Sequence, residues 1–148
     1  MTPQFTAAMV QRFVDLCRER GTPATPQRIE IYRALAGSEE HPTPEMLYDQ
    51  VKLSMPSMSL ATVYKTLDTL VSLGVASEIA TTGDAKRYDA NMEQHHHLVC
   101  TQCHIISDFR ASVFDRIPLI APEGFTPEFV SIRVHGLCKK CKASPPQS

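Results

Sequence analysis

With 148 residues, 43 % of them hydrophobic, the chain is large enough for one ordinary domain or two small ones with buried cores. No run approaches the ~18 apolar residues of a membrane span, and the start Met1-Thr-Pro-Gln-Phe5 lacks the basic region and apolar stretch of a secretory signal, so a cytoplasmic location with reduced thiols is expected. The net charge is −1: residues 1–90 carry 9 Lys and Arg against 11 Asp and Glu, and the remainder carries 6 against 5, so bulk charge draws no polyanion and any nucleic-acid contact must come from a local arrangement of basic groups.

Four helical stretches are predicted in the first half. The first places Phe5, Met9, Phe13 and Leu16 on one face and stops near Gly21. The second opens at Thr25-Pro26, an N-cap followed by proline at the first helical position, and ends at Gly37 after burying Ile29, Tyr32 and Leu35. The third repeats that start at Thr43-Pro44, carries Leu47 and Val51, and is broken by Pro56. The fourth runs from Ser59 to Gly74 with Leu60, Val63, Leu67 and Leu70 in its apolar stripe. Residues 75–80, a turn at Gly83-Asp84 and residues 86–88 then read as a hairpin. Helices followed by a two-stranded hairpin suggest a winged helix, with the third and fourth helices as its helix-turn-helix and the hairpin as its wing. A helical bundle with a stray hairpin is the plainer reading. The second half reads as strands over 95–100 and 105–109, a helix over 112–120, and a strand over 129–135 in which Val130, Ile132 and Val134 alternate.

Two C-x-x-C pairs, Cys100/Cys103 and Cys138/Cys141, stand 34 residues apart. Each spacing makes a tight knuckle that aims both sulfurs at one ion, and two knuckles make a closed tetrahedral site suited to structural zinc. The gap exceeds that of a simple zinc ribbon, and the strand–helix–strand segment between the pairs must close it. A redox dithiol or two unrelated pairs is the rival reading. Cys17, on an apolar helix face, reads as core.

The run Gln94-His-His-His-Leu-Val-Cys100 is the other dense feature. His95 and His97 face the same way on a strand, and Cys100 has the opposite parity. Asp89 just before this strand and Asp108 on the next are candidate oxygen ligands; imidazole with carboxylate suits iron or manganese and also binds zinc. A solvated histidine run is the alternative.

The segments Ala24-Thr-Pro-Gln-Arg28, His41-Pro-Thr-Pro-Glu45, Ser59-Leu-Ala-Thr-Val-Tyr-Lys-Thr-Leu67, Gly83-Asp-Ala-Lys-Arg-Tyr-Asp89, the run from His95 to Cys103 and the closing Cys138–Cys141 pair occur in order over nearly the full chain. Together they resemble the ferric uptake regulator family. The resemblance implies a homodimeric, metal-dependent repressor that binds double-stranded operator DNA, with Cys100, Cys103, Cys138 and Cys141 on the structural zinc. It implies a regulatory iron or manganese ion on the positions aligning with His41, Asp89, His95, His97 and Asp108. A metal held by both halves would select one arrangement of them. Aspartate at both Asp89 and Asp108 points to the peroxide-sensing branch, in which three nitrogens and two oxygens leave ferrous iron open to peroxide; the oxidation-sensitive positions align with His41 and His95, and loss of a ligand releases metal and DNA. The same branch would repress with manganese yet respond weakly to peroxide. An iron, zinc or manganese uptake regulator is the alternative within the family. His96 and Val130 stand where relatives carry an aspartate and a histidine of a further metal site, so that site is not expected in its usual form. His104 and His135 match no ligand position and read as surface or core residues.

For DNA, Ser59, Ala61, Thr62, Tyr64 and Lys65 lie near the start of the fourth helix or away from its apolar stripe, where a recognition helix meets base edges. Arg28, Lys86 and Arg87 are candidates for phosphate or minor-groove contact; each of these residues otherwise reads as a solvated helix or wing position. The expected organisation is α+β: a winged-helix DNA-binding domain over 1–88, a hinge over 89–94, a small α/β dimerisation domain with the four-cysteine zinc site over 95–142, and a flexible tail over 143–148. Rivals from other classes are a metal-dependent enzyme on His95 and His97, for which no general base or substrate pocket is identifiable in the sequence, and a zinc-stabilised interaction module.

Overall fold

The computed structural model describes residues 2–80, 85–118 and 120–144, which fall into two units, Met1–Met92 and Glu93–Ser148. In the first unit three helices start alike. The side chains of Thr2, Thr25 and Thr43 each accept a hydrogen bond from the backbone N–H three residues on, and a proline follows each threonine where its missing N–H costs nothing. These caps open α1 (Pro3–Arg20), α2 (Pro26–Gly37) and α3 (Pro44–Val51); Ser59 caps α4 (Leu60–Ser72) in the same way. Gly21 ends α1 at φ 66°, the left-handed conformation that glycine adopts without a Cβ penalty.

The core of this unit joins Phe13, Ile31, Leu35, Leu47, Val51, Val63, Leu67 and Leu70. Leu47, Val51, Val63, Leu67 and Leu70 bury as their spacing predicts, whereas Ile29 and Leu60 are only partly buried. On α1 the buried stripe is Val10, Phe13 and Cys17; Phe5 is 51 % exposed and Met9 and Leu16 are partly buried, so the expected face is turned toward Val10 and Cys17. The ring contact of Phe13 with Tyr32 of α2, 4.8 Å between centroids, sets that rotation. Cys17 is a core residue whose thiol burial pushes its pKa up. Strands β1 (Ser77–Ile79) and β2 (Arg87–Asp89) pair antiparallel, Ser77 with Asp89 and Ile79 with Arg87. They complete a winged helix. The expected turn at Gly83-Asp84 lies outside the described residues, as does the tail beyond residue 144.

The second unit holds a three-stranded sheet in the order β4-β3-β5, with β3 at His96–Cys100, β4 at Ile106–Phe109 and β5 at Arg133–Gly136. β4 runs antiparallel to β3 and β5 parallel to it. The helix expected over 112–120 is one turn only, α5 (Ser112–Asp115), because Pro118 disfavours helix in the residue before it. The strand expected over 129–135 is short and every residue of β5 is exposed; Val130 and Ile132, partly buried between exposed neighbours, precede it, while Val134 is exposed. A helix absent from the sequence-based expectation, α6 (Lys139–Ala143), starts on Cys138. Among the described residues no helix is long and apolar enough to cross a membrane.

Candidate metal centres

The parallel register of β3 and β5 closes the 34-residue gap between the cysteine pairs. It sets Cys100 beside Gly136, and the Thr101 N–H donates to the Gly136 carbonyl at 2.8 Å. Each strand then runs directly into its knuckle. Cys103 lies in the turn after β3, Cys138 caps α6 and Cys141 lies inside it. All four sulfurs lie within 4.8 Å of one another, with 3.7 Å between those of Cys103 and Cys138. Zinc–sulfur bonds of about 2.3 Å in a tetrahedron place sulfurs roughly 3.8 Å apart, so the set fits a zinc ion.

The protonation chemistry agrees. Backbone N–H groups of Cys103 and Cys138 point at the Cys100 sulfur and draw its pKa down to about 5. The Cys141 N–H lowers that of Cys138. Burial, reinforced by neighbouring sulfurs, pushes the Cys141 thiol up to about 12. Four thiolates therefore need a cation to coexist. No described cysteine is in a disulfide.

The other end of β3 carries the histidines. His97 stands directly opposite Asp108 of β4, and His95 lies two residues earlier on the same face. The Nε2 atoms of His95 and His97 are 3.1 Å apart, and Asp108 Oδ1 is 3.4 Å from the first and 3.5 Å from the second. Donors about 2.1 Å from one ion stand about 3.0–3.5 Å apart, so this donor set also fits a metal. His95 Nδ1 lies 2.6 Å from the Glu93 carbonyl oxygen, which can only accept, so Nδ1 is the donor there and Nε2 is the nitrogen that faces His97 and Asp108.

His96 points to the opposite face. It is fully buried, its Nδ1 accepts from the Ile132 N–H at 3.3 Å, its Nε2 lies 3.2 Å from Asp115 Oδ1, and Phe109 and Phe114 pack on its ring. It is a core residue joining β3 to α5 and the chain before β5. His104 and His135 are exposed.

The first unit has its own donor pair. His41 and Asp89 are 3 % and 5 % exposed, with His41 Nδ1 3.6 Å from Asp89 Oδ2, while Asp89 Oδ1 accepts from the Asn91 N–H at 2.7 Å. On α4, Ser59, Ala61, Tyr64 and Lys65 are exposed and Thr62 is partly so. Tyr64 donates its hydroxyl proton to Glu45 of α3 at 2.6 Å, which lowers the Glu45 pKa and raises that of Tyr64. The expected basic contacts also have partners within their own unit: Arg28 donates to the Pro23 carbonyl at 2.9 Å, Lys86 lies 3.2 Å from Glu78, and Arg87 donates to the His41 carbonyl at 3.0 Å. Sequence reasoning missed the Arg87 and Glu45 contacts, since each spans more than a dozen residues and carries no local pattern.

A winged helix followed by a small sheet unit with a four-sulfur zinc site defines the class of metal-responsive transcription regulators. The profile of the ferric uptake regulator family matches residues 19–135, and the chain belongs to that family. Over 127 residues the chain is 32 % identical to the peroxide-responsive repressor PerR of Staphylococcus epidermidis, covering 84 % of this chain and 85 % of that one. The Campylobacter jejuni peroxide stress regulator structure matches at 32 % identity and TM-score 0.65, over 86 % of this chain and 98 % of that one. The Helicobacter pylori ferric uptake regulator, described as having three functional metal-binding sites, shares the fold at TM-score 0.75 and 21 % identity, over 95 % of this chain and 96 % of that one.

Proposed function

We propose that this chain is a homodimeric, metal-dependent repressor that senses peroxide and releases its operator on oxidation. The observation that carries the reading is the convergence of His95, His97 and Asp108 at one end of the strand whose other end holds the zinc cysteines. His41 and Asp89 are the remaining ligands of the regulatory ion, by alignment with the family. Aspartate at both 89 and 108, and identity to peroxide-responsive relatives, favour the peroxide-sensing branch. Ferrous iron held by these residues would supply the redox chemistry by which peroxide passes one oxygen atom to a neighbouring imidazole, its other oxygen leaving as water.

The residues do the rest. His95, oriented by the bond from its Nδ1 to the Glu93 carbonyl, and His41 are the imidazoles open to oxidation. Ligands drawn from both units make metal occupancy a bias on their arrangement, so loss of one ligand relaxes it. The start of α4 reads the major groove through Ser59, Ala61, Thr62, Tyr64 and Lys65, while Arg28 and Lys86 meet phosphates. Exposed apolar side chains in the second unit, Ile120 at 98 %, Phe129 at 75 % and Val113 at 69 %, support its role in dimerisation. Micromolar peroxide added to the Fe²⁺ form should add one oxygen mass to a peptide holding His41 or His95 and release DNA. An unmodified protein still on its DNA would instead mark a metal-uptake regulator.

A further inference from the structure

Strand β2 and the segment before α3 are joined at three consecutive residues. The Arg87 guanidinium donates through Nη1 to the carbonyls of Glu40 at 3.4 Å and His41 at 3.0 Å. The Tyr88 N–H donates to the Pro42 carbonyl at 3.1 Å. The Asp89 carboxylate faces the His41 ring at 3.6 Å.

What they hold is strained. His41 sits at φ 48°, in the left-handed region that a residue with a Cβ keeps only where its surroundings over-determine it. Pro42 follows and narrows the backbone choices of His41 further. His41 is also buried, so its carbonyl needs a donor from the protein. Arg87 supplies that donor, and the same guanidinium reaches the preceding carbonyl, so one planar group fixes the peptide units on both sides of the His41 Cα. The direction of the His41 ring toward Asp89 follows from that backbone.

We propose that Arg87 is the positioning residue of the regulatory metal site: it braces the left-handed turn that aims His41, and so sets metal affinity, rather than serving as a phosphate contact of the wing. This rests on the reading of His41 and Asp89 as ligands.

The test uses full-length, zinc-loaded protein and Mn²⁺ alone as the probe, with free Mn²⁺ followed by electron paramagnetic resonance. Groups that orient metal ligands typically carry 10- to 100-fold in affinity. Arg87→Ala should weaken Mn²⁺ binding by roughly that factor, and Arg87→Lys, which keeps a donor nitrogen on a shorter side chain, should restore part of it. In a His41→Ala background, Arg87→Ala should cause no further loss, because its effect runs through His41. At saturating Mn²⁺, Arg87→Ala should bind DNA with unchanged affinity and salt dependence. Unchanged Mn²⁺ affinity, with a salt slope reduced by about one phosphate contact, would overturn the proposal in favour of a wing contact. An equal loss in the His41→Ala background would also overturn it, by showing a general structural effect. Absence of an Mn²⁺ site in the zinc-loaded wild-type protein would remove the ligand reading itself, whereas a wild-type site indifferent to Arg87→Ala would remove only this proposal.

Discussion

The two ends of β3 hold different kinds of donor set. At Cys100 the strand ends in a four-sulfur cluster whose members all come from one unit, brought together by the parallel pairing of β3 with β5 and closed to any fifth ligand. At the start of β3, His95 and His97 with Asp108 make a three-donor set that leaves coordination positions to be filled. A closed sulfur site stabilises its surroundings and offers nothing to exchange. An open nitrogen and oxygen site of hard and borderline donors is where an exchangeable ion belongs. The surroundings differ as well. The first unit has an extended core, whereas the apolar burial of the second, among the described residues, is Val99, Ile106 and two of the zinc cysteines. Zinc stands in for a core there.

The cysteine end of β3 is the more sensitive to substitution. Structural zinc contributes an apparent ~10–16 kcal/mol in small domains, comparable to or above the ~5–15 kcal/mol stability of a typical domain. Cys138→Ser should therefore lose zinc and abolish hydrogen-exchange protection at Val99 and Ile106, while Leu67 and Leu70 stay protected. Retained protection at Val99 would show that the second unit stands without the ion.

Next in size, His97→Ala removes a direct donor from the open set. Mn²⁺ affinity should fall by about 100-fold or more, judged against the 10- to 100-fold carried by groups behind a ligand, with one zinc per chain still present by elemental analysis. Joint loss of zinc and Mn²⁺ would show that the two ends of β3 are not separable.

The smallest effect concerns the helix-turn-helix. The Tyr64 hydroxyl bond holds the Glu45 carboxyl below its ordinary range. A depressed carboxylate contributes stability that is full above its unfolded value, about 4.3, and is lost as pH falls through its lower folded value. Thermal unfolding of Glu45→Gln against wild type should thus show a small deficit near pH 7 that closes toward low pH. A deficit independent of pH would assign it to something other than the carboxylate.

Much of this was legible in the residues. Thr25-Pro26 and Thr43-Pro44 mark helix starts because hydroxyl capping and proline both act locally. The parity of His95 and His97 against Cys100 follows from the two-residue period of a strand, and the structure keeps it. The one-turn length of α5 follows from Pro118, a local signal in the sequence. Other features depend on distant packing. α1 offers two overlapping apolar stripes, and contact with Tyr32 decides for Val10, Phe13 and Cys17. The joining of Cys100 to Cys138 needs a parallel strand pair, and the brace of Arg87 on His41 spans 46 residues. Neither leaves a periodic trace.

A framework zinc and a regulatory second ion can be separated by titration. Zinc-loaded protein, stripped of any second metal, can be titrated with Mn²⁺ while its binding to a duplex selected from random DNA is followed by fluorescence anisotropy. The account predicts that DNA affinity rises with occupancy of about one Mn²⁺ per chain while zinc content stays fixed. Equal affinity with and without Mn²⁺ would contradict it.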